Sequence, residues 1–199
     1  MSKILHIISS PRGEASNSIK LAEAIIERLQ LNHPSAALHT KDLTKAPFPH
    51  LEEVHLNAFL TPVEQHSEEH REAIRHSNLA IEELMNSDFI VIGAPMYNFG
   101  ISSTLKAWFD HIARAGITFK YTQQGPVGLL TGKKVFLAIT TGGIYSSGEG
   151  VGNDFLTPYL KFMLAFIGMT DITVCRAEGF AIAEMRDNAL EKAIGKIQI

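Results

Sequence analysis

Asp88-Phe89-Ile90-Val91-Ile92-Gly93, running on into Ala94-Pro95-Met96-Tyr97-Asn98-Phe99-Gly100, decides the fold. The first part is an uninterrupted apolar run of strand length, the pattern of a strand buried on both faces. The second part must turn, because Pro95 stiffens the exit. Ser102-Ser103-Thr104 then offers a helix cap, and Leu105 to Ile112 follows with helical spacing. Strand, sharp turn and helix in this order make one step of an open α/β sheet, where ligands sit at the carboxyl ends of the strands. Met96 to Phe99 puts two aromatics, a thioether and an amide at that end, a surface suited to a flat ring. Taken alone, the same turn also fits an ordinary connection with core aromatics.

The flanking chain repeats the pattern. Lys3 to Ile8 reads as a first buried strand, followed by the hydroxyl-rich Ser9-Ser10-Pro11-Arg12-Gly13-Glu14-Ala15-Ser16-Asn17-Ser18 and a helix over Ile19 to Leu31. A helix start carries about half a unit of positive charge and N–H groups without partners, so it can receive a phosphate. Ser10, Ser16 and Ser18 would add hydroxyls and Asn17 an amide; each bond to a charged group contributes roughly 1.5–3 kcal/mol. The plainer alternative is that Ser16 or Ser18 only caps the helix. Neither G-x-x-x-x-G-K-[ST] nor G-x-G-x-x-G occurs here, which argues against the usual triphosphate and dinucleotide loops.

A second strand is expected over Ala36 to Lys41, a short helix over Leu51 to Leu60 and one long helix from about Val63 to Met85. His66 and His70 share a helical face, but no third metal ligand is evident, and no metal is expected. Ile117 to Thr122 reads as a short excursion and Gln123 to Leu130 as loop. Phe119 and Tyr121 are candidate substrate walls there, or simply local packing. Lys133 to Ile139 is a fourth strand ending in Thr140-Thr141-Gly142-Gly143, where paired glycines admit a close ligand or form a plain turn. Ile144 to Asp154 is Gly/Ser-rich and expected to be mobile. Asp154 or Thr157 can cap an apolar helix over Tyr159 to Ile167, whose Phe162 is a third candidate wall and whose several apolar faces hint at a subunit interface. Asp171 to Ala177 is the fifth strand and Ala183 to Ile197 the final helix.

Five strands alternating with helices imply one parallel sheet covered on both faces. Without a G-x-G-x-x-G, the flavodoxin-like order 2-1-3-4-5 is expected, a layout that binds FMN at the switch between strands one and three. The phosphate-suited loop, the ring-suited turn and the glycine pair then fall on one sheet edge.

Composition sets the outer bounds. The 199 residues are 45% hydrophobic and 20% charged with net charge −3, so a single globular domain over 1–199 is expected. Acids and bases are interleaved, with no basic stripe for nucleic acid. No apolar run approaches the roughly 20 residues of a membrane span, and no signal-peptide core is evident, so a cytoplasmic protein without membrane insertion is expected. Cys175 is the lone cysteine and lies in an apolar stretch.

The residues also carry a resemblance. Ala94-Pro95-Met96-Tyr97-Asn98-Phe99, Ile101-Ser102, Leu105-Lys106, Phe109-Asp110 and Arg114-Ala115-Gly116 resemble the FMN-dependent NADH:azoreductase, or quinone reductase, family. Thr118-Phe119, Tyr121, Gly125-Pro126, Gly128-Leu129, Thr131 to Lys134, Thr157 to Leu160 and Phe166-Ile167-Gly168 extend it over nearly the whole chain. The resemblance implies a homodimer with one FMN per subunit, NADH as donor, and quinones and azo compounds as acceptors in a ping-pong cycle. It implies that Ser10, Ser16, Asn17 and Ser18 hold the FMN phosphate. Met96, Tyr97, Asn98 and Phe99 then line the ring, and Thr140, Thr141, Gly142 and Gly143 form a third contact. No catalytic side chain is expected, the cofactor carrying the chemistry. Several relatives carry Ser-Arg where this chain has Thr140-Thr141, and the segments Pro11 to Ala15 and Ile144 to Asn153 differ among them. The rival expectations are a flavodoxin-type electron carrier, or a flavin reductase handing reduced FMN to a partner.

Overall fold

Each apolar run becomes a strand of one parallel sheet in the computed structural model, which describes residues 2–199. The strands are β1 (Lys3–Ile8), β2 (Ala37–Asp42), β3 (Phe89–Pro95), β6 (Lys134–Thr140) and β7 (Asp171–Ala177), in the order β2-β1-β3-β6-β7. This is the expected 2-1-3-4-5 layout; the numbering differs because β4 (Phe119–Thr122) and β5 (Gly125–Gly128) form an antiparallel hairpin outside the sheet. The run read as loop from Gln123 to Leu130 therefore contains a strand. Gly125 and Pro126 hid it, yet a proline is tolerated where no further strand needs its N–H.

Central β3 is buried at all seven residues, as its unbroken apolar run requires. Its alternate side chains serve two cores. Ile90 and Ile92 pack with α4 (Arg75–Met85), α5 (Ser103–Ile112) and α6 (Leu156–Phe166) through Leu84, Trp108 and Leu160. Phe89 and Val91 face α1 (Asn17–Asn32) and α8 (Ala189–Gly195) through Leu21, Ile25 and Ala193. A side chain on Gly93 would come within 3.3 Å of the Ser18 carbonyl, so the bare backbone there lets the start of α1 close on β3.

Two long helices of the sequence reading are interrupted. Beyond α2 (Glu53–Leu60), the span 63–85 opens with a 3-10 turn at Val63–Gln65, then α3 (Glu68–Ala73), then α4. His66 turns back to place Nε2 3.0 Å from both the Ala58 and Thr61 carbonyls. Ser67 then starts a new helix, its Oγ accepting the His70 N–H at 3.1 Å. The final helix splits into α7 (Ala183–Arg186) and α8, parted at Asp187-Asn188, both poor helix formers. Among the described residues, no helix is long and apolar enough to cross a membrane and no three His, Cys, Asp or Glu side chains cluster as a metal site.

Candidate active site

The carboxyl ends of β1, β3, β6 and β7 open onto one cleft of about 260 Å³. Ser10, Arg12, Ser16 and Asn17 form one end, Pro95, Met96 and Tyr97 the floor, and Thr140, Thr141, Gly142, Phe180 and Ala181 the far wall. A second, larger cleft of about 830 Å³ adjoins it across Tyr97 and is bordered by Asn98, Ile101 and the Ser102 to Thr104 helix start.

The first end is built from hydroxyls. Ser10, Ser16 and Ser18 are all buried, and the Ser16 and Ser18 hydroxyls lie 3.0 Å apart. Ser16 stands at the N-cap of α1, but its side chain makes no capping bond. The leading N–H groups of the helix are therefore left for something else, and an anion suits them. Ser9, one residue earlier, donates from Oγ to the Gly93 carbonyl at 2.7 Å and ties the loop to β3.

At the floor, Met96 N–H donates to the Thr140 carbonyl at 2.9 Å. Tyr97 and Gly100 exchange both backbone hydrogen bonds at 3.0 Å, closing a tight turn around Asn98 and Phe99. Both central residues are left-handed, with φ of 48° and 67°. For a phenylalanine this costs on the order of 1–3 kcal/mol, and such residues gather at ligand sites. The Tyr97 hydroxyl is buried without a partner among the described residues.

On the far wall the carbonyls of the turn after β6 are occupied, while the N–H groups of Gly142 and Gly143 are spare. Phe180, Ala181 and Gly179 donate to the carbonyls of Thr141, Gly142 and Gly143 at 3.3, 2.8 and 3.3 Å. No hydrogen bond among the described residues uses the N–H groups of Gly142 or Gly143. A hydroxyl-lined helix start, an aromatic turn and two free N–H groups around one slot fit a phosphorylated planar ligand.

Of the residues singled out from sequence, Ser10, Ser16, Asn17, Met96, Tyr97, Thr140, Thr141 and Gly142 meet in the first cleft. Asn98 borders the second. Ser18 lies buried behind Ser16, while Phe99 and Gly143 stand at the margin against the Tyr145 ring. Phe119, Tyr121 and Phe162 line neither cleft. Phe119 is a core residue 4.4 Å from the Phe166 ring, whereas Tyr121 and Phe162 are 74% and 67% exposed on the outside of the hairpin and α6. Arg12, Phe180 and Ala181 escaped the sequence reading. Phe180 and Ala181 follow β7, so the strand-end rule applied to the fifth strand finds them; Arg12 sits in the very loop read as a site for an anion.

The cleft wall holds no carboxylate, histidine or cysteine. The perturbed groups lie elsewhere. Burial beneath α1 pushes His6 down to about 4, partly opposed by Asp42. Burial lowers His111, whose Nε2 sits 3.0 Å from the Pro49 carbonyl. Burial, with Asp110, raises Tyr159 to about 12. The wall's hydroxyls, on Ser10, Ser16, Tyr97, Thr140 and Thr141, therefore have no carboxylate, imidazole or thiolate in the wall to serve as a partner base.

Known proteins agree with this geometry. The family model described as the flavodoxin-like fold matches residues 2–198. An FMN-dependent NADH:quinone oxidoreductase of Herminiimonas arsenicoxydans is 47% identical over 198 residues, 99% of this chain and 97% of that protein. The crystal structure of an azoreductase from Bacillus anthracis str. Sterne superposes with a TM-score of 0.87 at 30% identity, covering 98% of both chains. An FMN-dependent NADH-azoreductase from Bacillus anthracis str. Ames Ancestor, solved in complex with FMN, gives 0.86 at 27% identity, covering 98% of this chain and 97% of that one. With that much of its length and its whole layout shared, the chain belongs to the flavodoxin-like family of FMN-dependent NADH:quinone oxidoreductases.

Proposed function

We propose that this protein uses FMN and NADH to reduce quinones by two electrons and to cleave the azo bond of aromatic azo compounds, in a ping-pong cycle. The observation that carries the proposal is the meeting of a hydroxyl-lined helix start, an aromatic turn and a glycine pair in a cleft whose wall holds no carboxylate, histidine or cysteine. Ser10, Ser16, Ser18, Asn17 and the N–H groups of α1 would hold the phosphate, with the Arg12 guanidinium at hand. Met96, Tyr97, Asn98 and Phe99 would seat the ring, and the N–H groups of Gly142 and Gly143 would donate to its polar edge.

Bound there, FMN would supply the redox chemistry, two-electron transfer from NADH to the acceptor. An azo bond needs four electrons to become two amines, so its cleavage takes two NADH. The protein's part is orientation and electrostatics. Backbone N–H donors offset the negative charge that reduction brings, without a side chain having to ionise. The strained Asn98-Phe99 turn is held in advance, because Phe155 N–H donates to the Phe99 carbonyl at 3.2 Å.

The working unit is a homodimer. Tyr121, Phe155 and Phe162 are 74%, 64% and 67% exposed, and a second copy would cover them. Tyr121 and Phe162 would then reach an acceptor only across the subunit contact. A cytoplasmic setting, where NADH is supplied, goes with this function. Initial rates with NADH varied against benzoquinone and against an azo dye test the cycle. Parallel double-reciprocal lines are expected; intersecting lines would contradict it, and no turnover without an added partner protein would favour the electron carrier.

A further inference from the structure

The segment 144–154 has no role in the phosphate or ring contacts, yet it is tied down at both ends. Glu178, just beyond β7, accepts the N–H groups of Tyr145 and Ser146 on Oε1 at 2.7 and 3.0 Å, and the Ser146 hydroxyl on Oε2. Arg176 bridges Glu178, at 3.5 Å, to Asp154 at 2.9 Å. Asp154 in turn accepts the N–H groups of Leu156 and Thr157 at 3.1 and 2.9 Å, which starts α6. These three charged side chains are only 12%, 15% and 8% exposed. Desolvating them is worthwhile only if every partner is in place. Within the segment, a side chain on Gly150 would meet the Ile144 carbonyl at 2.1 Å, so the chain doubles back tightly on itself.

What this latch holds still is the Tyr145 ring. One edge lies 3.3 Å from where a Gly143 side chain would begin, and the ring stands edge-on to Phe99 with centroids 6.3 Å apart. Tyr145 therefore spans the gap between the turn after β3 and the turn after β6, the two turns that flank the ring site.

We infer that Glu178 is a positioning residue that fixes Tyr145 as a wall of the acceptor site, and that this wall favours compact acceptors over bulky ones. The inference rests on the function proposed above. Loosening the wall should admit larger aromatic acceptors while leaving the phosphate end untouched.

The test uses the wild-type protein, Glu178→Ala and Glu178→Gln. The glutamine retains an oxygen for both N–H groups and an amide for the Ser146 hydroxyl. Amide hydrogen exchange at Tyr145 and Ser146, read on both the FMN-free and FMN-loaded proteins, should speed at least tenfold in Glu178→Ala. FMN affinity and the rate of flavin bleaching by NADH should stay within twofold. The ratio of KM for a bulky azo dye to KM for benzoquinone should fall at least fivefold with kcat little changed, and Glu178→Gln should restore both exchange and ratio. Unchanged exchange would overturn the latch, and faster exchange with an unmoved KM ratio would overturn the acceptor role. Should Glu178→Ala unfold, Tyr145→Leu leaves the latch intact and must lower the same ratio; an unmoved ratio there overturns the inference. A wild-type protein that takes up no FMN would overturn the proposed function and this inference together, whereas turnover with a ratio insensitive to Glu178→Ala would overturn this one alone.

Discussion

Asn98 and His111 are four-atom and five-membered polar side chains in the same stretch of sequence, and burial gives them opposite meanings. Asn98 is exposed on a left-handed turn at the cleft; His111 is fully buried, packed 5.3 Å from the Phe48 ring. Asn98→Ala is expected to weaken FMN binding about three- to tenfold, the worth of one ordinary hydrogen bond, without lowering Tm by much. His111→Ala should do the reverse, and FMN titration beside thermal melting checks the pair. His6 makes a pH prediction. Its folded value of about 4 lies below the unfolded value near 6.5, so between them the unfolded chain binds a proton that the folded chain refuses. Stability should therefore fall as pH drops through that window, by roughly 3 kcal/mol in all, and His111 adds in the same direction. Urea midpoints at pH 7 and pH 5 should converge in His6→Leu relative to wild type; an unchanged gap would contradict the assignment. At this scale the sequence was partly legible. Ser102 was readable as a cap, and its Oγ does accept the Leu105 N–H at 3.2 Å. Whether Asn98 faces the first cleft or the second depends on turn geometry that residue type does not encode.

Elements were legible where their pattern was uniform and lost where a local bond competed with it. β1 and β7 have the bounds expected of them, each a β-branched and apolar stretch set off by turn residues at its carboxyl end, although β7 lies at the sheet edge and is mostly half-buried. The span 63–85 has helical periodicity throughout, but His66 and Ser67 satisfy backbone groups across the chain and break it. The start of α1 is the element on which the proposed phosphate site depends. Ser16→Ala should weaken FMN about tenfold yet leave riboflavin, which lacks the phosphate, within twofold; equal losses for both flavins would remove the phosphate from that end. The hairpin makes a separate prediction. A side chain on Gly128 would meet the Gly168 backbone nitrogen at 2.1 Å, where Leu130 N–H also donates to the Ile167 carbonyl at 2.9 Å. Backbone cannot step aside as a side chain can, so Gly128→Ala should lose about 2–3 kcal/mol in urea unfolding.

Over the whole molecule, sheet order and the sharing of one edge by several weak signals were readable, since connection rules leave few layouts for five alternating strands. The aromatic face of the hairpin and α6 was not, because a sequence marks Phe119, Tyr121 and Phe162 alike as apolar while only packing separates the buried ring from the exposed two. If a second copy covers that face, Phe162→Glu should give a monomer by light scattering that still binds FMN but shows a raised KM for acceptors. A dimer of unchanged strength would send the subunit contact elsewhere. The central claim, that NADH and the acceptor react in turn through FMN held by this chain alone, is tested most directly by anaerobic stopped-flow absorbance of the FMN-loaded protein. Mixing with NADH should bleach the flavin band, and a second mixing with benzoquinone or an azo dye should restore it with no other protein present. A band that NADH leaves unchanged, or that neither acceptor restores, would contradict the account.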